Sequence, residues 1–119
     1  MLPLIILAGP TTSNKSDTAI ELAEKINSEI ISADSMQVYK YFNIGTAKVT
    51  PADRVRIPHH LIDILEPDQE FSAFDFKSMA LAHTRELHSQ GKVPIITGGT
   101  GLYIKALCEG YDCAVQINP

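Results

Sequence analysis

The 119-residue sequence is poor in positive charge and in long apolar runs, and each shortage excludes a class of protein. It has 10 lysines and arginines against 14 acidic residues, which gives a formal net charge of −4. Non-specific binding to a nucleic-acid backbone needs a basic surface, so only a local contact with nucleic acid stays open. The apolar stretch 2–8 is too short for a signal-peptide core or a membrane span. We therefore expect a cytoplasmic protein with no membrane partner.

Cysteine is also scarce, since only Cys108 and Cys113 are present. Without a second pair they do not form a zinc motif, and we expect both thiols to be reduced. A hydrophobic content of 45% and a charged content of 20% are ordinary for a globular protein. The length fits one small α/β domain or the front part of a larger protein.

The hydrophobic pattern alternates between strands and helices along the chain. Strands are predicted at 4–8, 29–32, 59–64 and 92–97, and helices at 17–26, after Thr50-Pro51, from Ser72 to Gly91 and around 102–107. Ser72 and Asp75 form the pattern of a capping box, and Gly91 has the position of a C-terminal cap. The fold class is therefore a doubly wound parallel sheet of the P-loop type, with a domain at 1–110 and an irregular tail at 111–119.

A glycine-led loop between the first strand and the first helix has the layout of a P-loop that binds phosphate. Its residues are Gly9, Pro10, Thr11, Thr12, Ser13, Asn14, Lys15 and Ser16. In such a loop the backbone N–H groups and the helix N-terminus attract an anion, and the lysine adds a full charge. The Ser16 hydroxyl is a candidate ligand for Mg²⁺. The alternative is an ordinary turn between strand and helix.

Asn14 departs from the P-loop pattern, which has glycine immediately before the lysine. Asparagine tolerates left-handed backbone dihedrals better than most residues, so the loop can still form. Loss of one contact between an amide and a phosphate would cost about 1.5–3 kcal/mol, roughly ten- to hundredfold in affinity.

Asp34 and Thr100 are further candidates because each follows a predicted strand, where open α/β sheets bind their ligands. Asp34 could act as a metal ligand or a general base, and its alternative is a helix cap or a solvated loop acid. Thr100 could face the same crevice or cap the next helix. His59 and His60 are adjacent on a predicted strand and would point to opposite faces, so we interpret them as structural.

Five segments, in this order, resemble the tRNA dimethylallyltransferases, also called tRNA isopentenyltransferases. They are the loop from Gly9 to Ser16, the run 31–39, Ile44-Gly45-Thr46-Ala47-Lys48, the run 58–63 and Gly98-Gly99-Thr100-Gly101-Leu102-Tyr103. The similarity extends over residues 4 to 110. The resemblance implies transfer of a dimethylallyl group from its diphosphate to the exocyclic amine of the adenosine 3′ of the tRNA anticodon.

The resemblance also implies a role for each matching residue. The P-loop with Lys15 would bind dimethylallyl diphosphate together with Mg²⁺, and Asp34 would be the general base. Ser35, Met36 and Gln37 would line the tRNA side of the site. Thr100 would help to position the acceptor base and the carboxylate. Because the chain ends before the family's later segments, which contact the anticodon arm, we expect it to be weak or inactive by itself.

Three other functions remain open. An adenylate isopentenyltransferase would modify free nucleotides, although Ser35 beside Asp34 favours the tRNA branch. A generic P-loop kinase would release ADP from ATP, but glycine would be expected at position 14. A folded remnant without turnover would be a binding module at most.

Overall fold

The computed structural model describes residues 4–8, 13–35, 38–40, 51–98, 101–108 and 115–117. Its strands are β1 (Ile5–Ala8), β2 (Ile30–Ser32), β3 (His59–His60), β4 (Ile95–Gly98) and β5 (Val115–Ile117), and its helices are α1 (Ser13–Ile26), α2 (Pro51–Arg56), α3 (Ala73–Ser89) and α4 (Gly101–Cys108). No helix within these ranges is both long and apolar enough to cross a membrane.

The strands form one parallel sheet in the order β3-β2-β4-β1-β5. β4 therefore lies between β1 and β2, although it comes later in the chain. In register, Ala8 of β1 is opposite Gly98, and Ser32 of β2 is opposite Thr97. The carboxyl ends of these three strands consequently lie level at one edge of the sheet.

Each face of the sheet is covered by helices, which confirms the doubly wound fold. Alternating side chains of a strand point to opposite faces. Ile30 and Ile95 pack with Ala19, Ile20 and Ala23 of α1. Ile31 and Ile96, the next residues of β2 and β4, face the other way and pack against α3 and α4. This second cluster also includes Ile6 of β1, Phe76, Ala80, Tyr103 and Leu107.

The two predicted caps of α3 are confirmed. The Ser72 hydroxyl accepts a hydrogen bond from the Asp75 N–H, and the Asp75 carboxylate accepts one from the Ser72 N–H. At the other end, Gly91 has a φ of +76°. Its N–H donates to the His88 carbonyl, and the Lys92 N–H donates to Leu87, which is the Schellman arrangement.

Two elements differ from their predicted bounds. α1 begins at Ser13, four residues before the predicted start at Asp17, because residues 13–16 are all polar and give no apolar periodicity from which a helix could be predicted. β3 contains only His59 and His60, whereas the sequence predicted a strand to Ile64. Leu61 and Asp63 have φ values of +65° and +57°, which end the extended backbone.

The C-terminal residues contradict two further predictions. The tail at 111–119 is not wholly irregular, because Val115–Ile117 form β5 and pair with β1. Cys108 is disulfide-bonded, not a reduced thiol. The expectation of reduction rested on the predicted compartment and not on geometry. The only other cysteine in the sequence, Cys113, lies outside the described residues.

Candidate functional site

Three strands end at the carboxyl edge of the sheet, and the sequence predicted a site residue or loop directly after each. β1 ends at Ala8, β4 ends at Gly98, and β2 ends at Ser32, two residues before Asp34. Since adjacent strands lie about 4.8 Å apart, β1 and β2 are separated by roughly 10 Å across β4. That distance is suited to a small ligand held between the loop and the carboxylate.

A topological switch point lies at the same edge. α1 follows β1 onto one face of the sheet, while α4 follows the adjacent strand β4 onto the opposite face. Where neighbouring connections diverge in this way, a crevice opens at the carboxyl ends of the strands. This topology predicts a crevice between the end of β1 at Ala8 and the end of β4 at Gly98.

Asp34 is anchored to the sheet by the residue before it. Ala33 is fully buried, and its N–H donates a hydrogen bond to the Thr97 carbonyl of β4. The Asp34 carbonyl in turn accepts from the Val38 N–H at 3.3 Å. The backbone on both sides of Asp34 is thus held by hydrogen bonds, which fixes the point from which its side chain extends.

Tyr103 of α4 is a residue near Asp34 to which the sequence assigned no role. Burial is the main cause that raises the pKa of the Tyr103 phenol, and the nearby Tyr39, Asp34 and Asp75 raise it further. Its ring stacks on Phe76 with a centroid distance of 4.8 Å. A phenol with a raised pKa stays protonated at neutral pH, so it adds no negative charge beside the carboxylate. Its position in the run Gly101-Leu102-Tyr103 was the available signal.

The predicted site residues fall into three groups. Ser13, Asn14, Lys15 and Ser16 lie in the first turn of α1, and Asp34 and Ser35 follow β2. The remaining predicted residues, Gly9, Pro10, Thr11, Thr12, Met36, Gln37 and Thr100, lie outside the described residues. Asn14 is in helical backbone, so its tolerance of left-handed dihedrals is not used there.

A second group of titratable side chains lies at the opposite, amino edge of the sheet. Glu29 precedes β2, and its carboxylate contacts His60 Nε2 at 2.7 Å and Lys92 Nζ at 3.4 Å. The His60 ring stacks on His83 of α3 with a centroid distance of 4.3 Å. His59 instead contacts the Ile57 carbonyl at 2.7 Å, so the two adjacent histidines have different partners. Glu29 thus lies at the end of β2 opposite to Asp34.

Comparison with known proteins decides the family. The family model described as IPP transferase matches residues 37–118. The chain belongs to the IPP transferase family. It is 58% identical over 109 residues to the tRNA dimethylallyltransferase of Staphylococcus aureus (strain JH9), a match that covers 92% of this chain.

Two solved structures show the same fold for this IPP transferase chain. The tRNA delta(2)-isopentenylpyrophosphate transferase of Staphylococcus epidermidis is 54% identical, with a TM-score of 0.85 over 90% of the chain. The full-length tRNA isopentenylpyrophosphate transferase of Bacillus halodurans is 43% identical, with a TM-score of 0.87 over 94% of the chain. The match covers 35% of the S. aureus relative and 35% and 37% of the two solved chains, so this chain spans about a third of their length.

The metal that the IPP transferase resemblance implies can be tested against the residues present. No group of three His, Cys, Asp or Glu side chains in the described part of the chain could hold a metal ion. Mg²⁺ does not need such a cage, because it is usually held by one or two protein oxygens together with substrate phosphates and water. A serine hydroxyl is an oxygen of that type, and the backbone of Ser16 lies in the first turn of α1, so the residue type at this position fits the ion.

Proposed function

We propose that this chain forms the donor-binding and proton-accepting part of a tRNA dimethylallyltransferase. The group transferred is dimethylallyl, the donor is dimethylallyl diphosphate, and the acceptor is the exocyclic amine of the adenosine 3′ of the anticodon. The compartment we propose is the cytoplasm. The observation that carries the proposal is the level arrangement of the ends of β1, β4 and β2, which supports a crevice shared by the loop and Asp34.

The loop from Gly9 to Ser16 binds the diphosphate in this proposal. α1 begins within this segment, at Ser13, so its N-terminal N–H groups and the positive end of its dipole favour an anion there. Lys15 in the first turn adds a positive charge that stabilises the departing pyrophosphate. Ser16 would hold Mg²⁺, which when bound neutralises part of the negative charge on the leaving group.

Transfer then needs one bond to form and one to break. The amine nitrogen attacks C1 of the dimethylallyl group, and the bond between C1 and the diphosphate oxygen breaks, with its electron pair leaving on the pyrophosphate. Asp34 accepts the proton that the amine loses, which places the general base across β4 from the leaving group. Thr100 orients the acceptor base and this carboxylate, while Ser35, Met36 and Gln37 contact the tRNA.

The acceptor adenosine is inaccessible while it is stacked in the anticodon loop. Enzymes that modify a base withdraw it from its stack into a pocket. In this proposal the base enters the crevice from the side of β2, where Ser35 follows Asp34. The donor enters from the side of β1, so the two substrates meet above the end of β4.

Donor binding tests the loop directly. Calorimetric titration with dimethylallyl diphosphate and Mg²⁺ should show binding that Lys15→Ala weakens by about tenfold or more, since a hydrogen bond to a charged group contributes about 1.5–3 kcal/mol. The matched control is Lys105→Ala, which removes an exposed lysine from α4. Asn14→Gly should strengthen binding by about ten- to hundredfold. Its control, Asn27→Gly, makes the same change just beyond the other end of α1, where φ is +54°.

Transfer tests the carboxylate. With the chain in excess over labelled tRNA, Asp34→Asn should slow the single-turnover reaction by about 10²- to 10⁴-fold, the usual contribution of a general base. Asp68→Asn, at an exposed aspartate with no proposed role, should leave the rate unchanged. Donor affinity should stay within a few-fold of wild type in both variants.

Three outcomes would overturn the proposal. No donor binding in either the wild type or Asn14→Gly would show that the loop does not bind diphosphate. Faster transfer to AMP than to tRNA would indicate an adenylate isopentenyltransferase. Release of ADP from ATP, with no transfer of the prenyl group, would indicate a kinase.

A further inference from the structure

Gly98 ends β4 in a conformation and an environment that only glycine fits. Its φ is +154°, outside the range that L side chains ordinarily adopt. A Cβ at this position would lie 2.5 Å from the Ala33 carbonyl carbon and 2.9 Å from the Ala33 Cα, and closer still to the carbonyl oxygen. Because these neighbours are backbone atoms, no change of side-chain rotamer could relieve the contact.

The contact connects the end of β4 to the residue that precedes Asp34. Ala33 is fully buried and packs in the same cluster as Tyr103 of α4, so it has no free space behind it. Its N–H is already committed to the Thr97 carbonyl, one residue before Gly98. A side chain at position 98 would therefore push the end of β2 away from β4 and move Asp34 with it.

We infer that Gly98 is a positioning residue for Asp34, because its missing side chain lets β2 end close against β4 and so sets where the carboxylate stands at the crevice. The inference rests on the proposed function only in taking Asp34 as the general base. The geometric claim itself concerns the two strand ends, and it can be measured whether or not the chain transfers a prenyl group.

Gly98→Ala, with Gly91→Ala as its control, tests this inference. Both glycines have positive φ, but a Cβ at Gly91 would meet nothing within 4 Å. Both variants place an alanine at positive φ, and only Gly98→Ala adds the steric contact with Ala33. In NMR spectra at fixed pH, Gly98→Ala should shift the amide signals of residues 33–35 and the ¹³C carboxyl signal of Asp34. Gly91→Ala should leave these signals in place.

A purely structural role predicts a different result. If Gly98→Ala only weakened the fold, urea unfolding would show lower stability while the native signals of Asp34 stayed where they are. Unchanged signals at residues 33–35 in a folded Gly98→Ala chain would overturn the inference. Equal shifts in Gly91→Ala would overturn it as well, because the steric contact would then be irrelevant.

Hydrogen exchange of the wild-type chain provides a second measurement in case Gly98→Ala does not fold. The Ala33 N–H should exchange at least ~100-fold more slowly than in an unstructured peptide, as strand amides that open only with a large part of the fold do. Exchange of the Ala33 N–H at the unprotected rate would show that β4 does not hold this residue. Failure of donor binding would contradict the proposed function but would leave these NMR results unaffected.

Discussion

At the residue scale, the His83 ring stacks on the His60 ring near the amino edge of the sheet. The Glu29 carboxylate is hydrogen-bonded to His60 Nε2 and also accepts a hydrogen bond from Lys92 Nζ. Burial lowers the pKa of His83, and the nearby His60 lowers it further, while Glu86 and Glu29 act in the opposite direction. For Glu29, burial raises the pKa, but His60 and Lys92 together hold it below its usual value.

These shifts predict that the fold loses stability in mild acid. A histidine whose folded pKa lies below the ordinary 6.5 binds fewer protons when folded than when unfolded. Its contribution to stability is therefore complete above that pH and is lost as the pH falls below it. His83→Gln cannot titrate, so its free energy of unfolding should fall less than that of the wild type between about pH 7.5 and pH 5.5.

Urea unfolding at a series of pH values measures this slope. Some slope should remain in His83→Gln, because burial also lowers the pKa of His59. His88→Gln is the matched control, since it removes a histidine from the last turn of the same helix without touching the stacked pair. An identical slope in the wild type and His83→Gln would contradict the prediction.

At the scale of elements, the capping box fixes the start of α3, which covers the same face of the sheet as α4. Ser72 and Asp75 exchange hydrogen bonds, and the pKa of Asp75 is lowered because the Ser72 backbone and hydroxyl donate to its carboxylate. Ser72→Ala should lower the free energy of unfolding by about 1 kcal/mol, the usual effect of losing a side-chain cap. Chemical denaturation at neutral pH measures it.

Ser89→Ala is the control for this prediction. Ser89 lies at the other end of α3, and its exposed hydroxyl donates to the Glu86 carbonyl within the helix. Loss of that bond should change stability by less than about 0.5 kcal/mol. Equal stability of Ser72→Ala and Ser89→Ala would contradict the prediction. It would mean that water replaces the hydrogen bond from the Asp75 N–H to Ser72 without loss of stability.

Elements whose signals are local could be predicted from the sequence, and those that depend on distant partners could not. The apolar run of β1 and the caps of α3 each depend on residues close together in the sequence, so they were predicted correctly. β5 has only three residues, and its partner β1 is more than a hundred positions earlier. β3 ends before Leu61, which has a positive φ that a leucine does not signal in advance.

At the scale of the whole molecule, the sequence predicts a site at the carboxyl edge of the sheet, because strand ends and glycine-rich turns mark that edge. The insertion of β4 between β1 and β2 could not be predicted, since sequential strands most often lie side by side. That insertion creates the contact between Gly98 and Ala33. The sequence therefore indicated Asp34 but not the glycine that holds its backbone.

The charge of the whole chain predicts weak binding to tRNA. Each phosphate that a protein neutralises adds to its affinity and to the dependence of that affinity on salt. With a net charge of −4, this chain has no excess of positive charge to spread along an anticodon arm. We expect a dissociation constant for tRNA above about 10⁻⁵ M at physiological salt, within or beyond the non-specific range.

Fluorescence titration of a labelled anticodon arm at several salt concentrations measures both the affinity and its salt dependence. The matched control is the S. aureus relative, of which this chain covers 35%, assayed under the same conditions. Donor binding should persist in this chain while tRNA binding stays weak, because in the proposed function one loop holds the diphosphate, whereas tRNA needs a wide basic surface. Tight tRNA binding with a steep salt dependence would contradict this prediction and would require a basic patch that the overall charge does not reveal.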